Sequence, residues 1–141
     1  MDVLREKGLA PLRVILAFSV LSTGFHYWHM VARPRAYPSI PGLDETVGQV
    51  GVGVAWVVFT VVAVLGYRAY LQERYRRALV LLLVYSLSGL VTAGHFLIGF
   101  PDLPRVWLIP LVGDTVAAVA LWAFVSWAWA ALNRVRVSTQ H

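Results

Sequence analysis

Charged residues divide this chain into four long uncharged runs. Nineteen uncharged residues separate Arg13 from Arg33, twenty-two separate Glu45 from Arg68, and twenty-four separate Arg77 from Asp102. A further twenty-eight residues lie between Arg105 and Arg134, broken only by Asp114. A membrane-spanning helix needs about 20 mostly apolar residues. The pattern therefore predicts spans at about 12–32, 46–68, 77–99 and 109–132, and little chain remains outside them. In hydrocarbon the backbone must satisfy its own hydrogen bonds, so valine-rich runs of this length are expected to be helical. Four strands could not close a membrane barrel. The predicted fold is an all-α membrane protein: four transmembrane helices in an up-down bundle, one domain over residues 1–141. The first run lacks a small-residue cleavage site and ends in Phe25-His26-Tyr27-Trp28, so it reads as a retained span rather than a cleaved leader. Asp44 or Thr46 is the expected cap of the second helix.

Composition sharpens this picture. Of 141 residues, 59% are hydrophobic and 13% charged, with mean hydropathy +0.69. A soluble domain carries about twice that share of charge. The absence of cysteine excludes disulfide frameworks, thiolate metal sites, iron–sulfur clusters and cysteine nucleophiles. No phosphate-binding glycine loop, nucleophile elbow or HExxH motif is present.

The net charge of +5 is distributed unevenly. Arg5, Lys7, Arg13, Arg68, Arg74, Arg76, Arg77, Arg134 and Arg136 fall on one side of the predicted spans, and only Arg33, Arg35 and Arg105 on the other. The positive-inside rule then places both termini in the cytoplasm, with the protein in the cytoplasmic (plasma) membrane. The basic rim suits anionic lipid rather than nucleic acid, because its cations are not interleaved with aromatics on one surface. The partners expected are the lipid bilayer and, beyond it, subunits of a membrane complex or further copies of the chain.

Spans one and three share a pattern. Ser19, Leu21, Thr23 and His26 align with Ser88, Leu90, Thr92 and His95 at a constant offset, followed by the aromatic residues Tyr27 and Phe96. In spans two and four, Val47-Gly48-Gln49 aligns with Val112-Gly113-Asp114. This predicts a tandem duplication of a two-helix hairpin, with repeats at 12–71 and 77–136, related by a pseudo-two-fold axis along the membrane normal.

Ionisable residues inside a membrane are costly and mark functional sites. His26, His29, His95, Asp114 and Gln49 all reach the extracytoplasmic ends of their spans. Under the pseudo-symmetry, His26 and His95 face each other across the axis, with Gln49 and Asp114 at right angles to them. Gly24, Gly48, Gly51, Gly53, Gly94 and Gly113 are expected to let the helices approach at this depth. His26 and His95 are the candidate axial ligands of a haem b, with Thr23, Thr92 and Gln49 as supporting polar groups. Alternatively, His26, His29, His95 and Asp114 supply three nitrogens and one oxygen for zinc or copper. Each residue also has a plainer structural role open to it: an imidazole wetted at the interface, an interhelical bond from Gln49, or Asp114 stabilised by a helix N-terminus beginning near Pro110. The expected function is a histidine-centred cofactor site, possible in a subunit of a redox complex. The alternatives are a lipid or small-molecule enzyme, a transporter, and a purely structural accessory subunit.

Overall fold

The structure, a computed structural model, describes residues 2–33, 35, 42, 44–98 and 104–138; within the helices, the side chains of 91–98 and a few near the helix ends fall outside that description. The chain is all-helical among these residues. It forms α1 (Asp2–Ala32), α2 (Glu45–Leu71), α3 (Tyr75–Ile98) and α4 (Arg105–Ser138). The segments Val3–Ala32, Thr46–Leu71 and Leu108–Arg134 are each long and apolar enough to cross a bilayer. This is the character of a membrane protein.

The helices outrun the hydrophobic stretches that predict them. α1 begins ten residues before its expected span and passes through Pro11, and α4 passes through Pro110. Proline lacks an N–H and so deletes one rung of the helical ladder, which an embedded helix tolerates when neighbours reorganise around it. α2 starts at a capping aspartate: Asp44 is extended, and its carboxylate accepts from the N–H groups of Thr46 at 2.9 Å and Val47 at 3.3 Å. α2 ends in a Schellman turn, in which the Arg74 N–H reaches the Ala69 carbonyl and the Glu73 N–H reaches that of Tyr70. The turn places Glu73 at φ +59°, a left-handed conformation usually given to glycine.

Each helix packs on its neighbours in sequence, and α4 also packs on α1; α1 and α3 touch only briefly. Between α1 and α2, Arg13 bonds Tyr67 and Gln49 bonds the Val31 carbonyl, while Arg5 of α1 bonds Glu73 in the turn that follows α2. The interior has two zones. Leu12, Leu79, Leu82, Leu121 and Phe124, with Tyr70 and Tyr75, build an apolar core around the ends of the helices that carry most of the arginines. Beyond it, toward the other ends, the buried residues turn polar: Ser19, Ser22, Thr23, His26, His29, Ser88 and Asp114. The outer surface is the reverse. Val14, Phe18, Leu21, Phe25 and Trp28 form an exposed stripe on α1, and Val47, Val50, Val54, Val57, Val58, Val61 and Val64 are exposed on α2. An exposed apolar surface of this extent marks contact with a bilayer or with another protein.

Candidate functional site

The site is assembled from one face of α1 and one face of α4. Ser19, Ser22, Thr23, His26 and His29 recur at intervals of three and four, so they share a face, and all five are buried. On α4, Asp114, Ala117, Ala118, Leu121, Val125 and Ala128 make the matching buried stripe. Small residues dominate the part of it nearest Asp114, which draws the backbones of α1 and α3 toward the carboxylate.

Two glycines set that approach. A Cβ on Gly113 would lie 2.7 Å from the Ser22 hydroxyl, and one on Gly89 would lie 2.5 Å from the Asp114 carbonyl and 3.0 Å from the Ala118 Cβ. Gly113 was expected from the sequence and Gly89 was not. Gly51 and Gly53, expected to line the site, face open space, so they are surface residues of α2. Gly24 faces the Trp56 ring of α2, where a Cβ would make an ordinary van der Waals contact at 3.8 Å.

At the centre, His26 Nδ1 meets Asp114 Oδ2 at 2.7 Å, with both residues 1% exposed. An ionised carboxylate oxygen can only accept, so against it the ring donates from Nδ1. The distance is that of a charge-assisted hydrogen bond, which is about twice as strong as a neutral one. The Tyr27 ring lies edge-on to the imidazole, with centroids 5.4 Å apart. Three nearby hydroxyls are engaged. Ser22 donates to the Pro110 carbonyl at 2.9 Å, Thr23 donates to the Ser19 carbonyl at 2.8 Å, and Ser19 Oγ shares a hydrogen bond with the Tyr85 hydroxyl at 2.9 Å.

This geometry changes the reading of several residues. Asp114 is the tenth residue of α4, because the helix begins at Arg105 and not near Pro110. The field of a helix terminus fades within its first turn, so it does not account for this carboxylate; His26 does. Gln49 donates from Nε2 to the Val31 carbonyl at 3.2 Å, an interhelical bond between α1 and α2. Thr23 bonds back into its own helix. His29 is buried one turn beyond His26. The side chains of His95 and Thr92 lie outside the described residues. Among the described residues, no group of three or more His, Asp or Glu side chains is placed to hold a metal ion. Tyr85 and Ser19 join the polar layer without having been singled out for a site. The signal for Tyr85 was that it is the one tyrosine of the uncharged run 78–101.

A hydrogen-bonded carboxylate behind an imidazole can do two things. It can hold the ring for metal ligation through Nε2, or raise its basicity for proton transfer. Comparison with protein families, curated proteins and solved structures finds no match to this chain.

Proposed function

We propose that this chain is an integral membrane protein, crossing the cytoplasmic membrane four times as an up-down bundle, and that it binds a haem b or a metal ion through His26 near the extracytoplasmic side. The contacts between successive helices support the alternating directions. Residues late in α1 meet residues early in α2, as Val31 does Gln49, while Arg5 meets Glu73 at the other end. The twenty-four uncharged residues after Arg77 support α3 as the fourth span. The basic ends gather Arg5, Arg13 and the α2–α3 turn together, which supports cytoplasmic termini. The correspondence of His26 with His95 and of Asp114 with Gln49 supports the tandem hairpin repeat.

The observation that carries the functional reading is the 2.7 Å contact between Nδ1 of His26 and the buried Asp114 carboxylate. Metal-ligating histidines are characteristically held this way, with one ring nitrogen on a carboxylate and the other on the metal. Asp114 thereby becomes the group that orients His26, rather than a ligand in its own right. His95 is the proposed second ligand by repeat correspondence, and His29 lies within one helical turn. The bound group would supply electron transfer or Lewis-acid chemistry; the protein supplies the ligand nitrogen, its orientation and an environment away from water. A transport pathway is less well supported, because the apolar core of Leu12, Leu79, Leu82 and Leu121 closes the chain's basic half.

The test is an absorbance spectrum with elemental analysis of the purified protein and its variants. Wild type is expected to show a Soret band or a stoichiometric metal. His26→Ala should lose it, and Asp114→Asn should weaken binding by roughly 10- to 100-fold, the usual effect of losing an orienting carboxylate. A folded wild-type protein with neither colour nor metal would overturn the proposal.

A further inference from the structure

On the outside of the protein, α3 and α4 part to form an apolar groove of about 830 Å³. Leu83 and Leu87 wall it on α3, Trp122 and Trp129 on α4, and Ser126 and Asn133 are polar positions in its lining. The Trp122 indole is fixed there, donating from Nε1 to Ser86 Oγ at 2.7 Å. Lining positions recur every three or four residues on both helices, so the groove runs along their axes. The same two stripes, continued by one turn, reach Arg76, four residues before Val80, and Arg134, four residues after Ala130. Both arginines are exposed. The groove therefore passes from apolar walls, through Trp129 and Asn133, to a pair of cations. That order matches the layers of a membrane leaflet: acyl chain, aromatic and amide groups at the interface, then charged head group.

We propose that this groove is a binding site for one anionic phospholipid of the leaflet on the basic side. An acyl chain lies along Leu83, Leu87 and the two indoles, and Arg76 and Arg134 hold the phosphate. Arginine suits this role because its planar fork matches phosphate oxygens in pairs. A second copy in the same orientation would cover the apolar walls equally well, but it would bring its own basic end to the depth of the two guanidinium groups.

The test places the protein in nanodiscs of equal parts phosphatidylglycerol and phosphatidylcholine and counts retained lipids by native mass spectrometry. One phosphatidylglycerol should remain bound in preference to phosphatidylcholine. Arg76→Gln with Arg134→Gln should weaken its retention roughly thirtyfold, from about 1 kcal/mol per cation near the membrane surface. Arg76→Lys with Arg134→Lys should keep most of it. Ala130→Trp leaves the charges intact and fills the groove, and should reduce retention of either lipid. Equal retention of both lipids, no response to the glutamine pair, or a dimer with its interface on Trp122 and Trp129 would each overturn the proposal.

Discussion

His26 and Asp114 are worth more as a pair than either is alone. Truncating one leaves the other buried without its counterpart, which in general costs about 1–3 kcal/mol for an unsatisfied buried group and more for a charged one. His26→Ala and Asp114→Ala should therefore each destabilise strongly, and the double variant should cost much less than their sum. A double-mutant cycle by denaturant titration in detergent is expected to give a coupling of roughly 1–3 kcal/mol; additive costs would mean that the 2.7 Å contact carries no energy. The glycines make a sharper comparison. Gly89→Ala should cost roughly 1–3 kcal/mol by overpacking against the Asp114 carbonyl. Gly51→Ala and Gly53→Ala meet nothing and should be neutral or slightly stabilising, since alanine is the better helix former. Thermal unfolding of the three variants reads the order directly.

Among the elements, the α2–α3 turn stores a small strain. Glu73 holds a left-handed backbone that costs a side-chain-bearing residue about 1–2 kcal/mol, and its exposed bond to Arg5 returns at most a fraction of that. Glu73→Gly is expected to raise stability by roughly 0.5–1 kcal/mol, and a lower melting temperature would show that the bridge outweighs the strain. The helices themselves were legible in the charge spacing, because a bilayer demands long uncharged runs. Their ends were less so. Charged first and last turns such as Asp2–Arg13 continue the helix, and hydropathy does not register them. The buried face of α1 was not settled by the sequence, because the helix is hydrophobic all round; packing shows Ser19, Ser22, Thr23, His26 and His29 buried on one stripe, with Val14, Phe18, Leu21, Phe25 and Trp28 exposed. The direct bond from His26 to Asp114 was not legible. The sequence puts the two at one depth, but only the packing of α1 against α4 brings them into contact.

As a whole, the protein presents aliphatic residues outward and keeps its polar groups inside. Nine of its twelve lysines and arginines fall on one side of the expected spans, and the orientation proposed from them predicts which positions are accessible. The chain has no cysteine, so single introduced cysteines report cleanly. Ser39→Cys should react with a membrane-impermeant maleimide in intact cells, whereas Lys7→Cys and Gln72→Cys should react only after lysis. Labelling of Lys7→Cys from outside would invert the proposed orientation and move the histidine layer to the cytoplasmic leaflet. The whole-molecule reading then depends on what the histidine layer does, and that is decided by how protons and lone pairs are arranged on one imidazole. Nitrogen-15 NMR of histidine-labelled protein in lipid bilayers measures this most directly. His26, assigned by its loss in His26→Ala, should show a protonated Nδ1 whose resonance moves markedly in Asp114→Asn, with Nε2 carrying the lone pair or bound to a metal. A protonated Nε2, or a resonance indifferent to Asp114, would contradict the account.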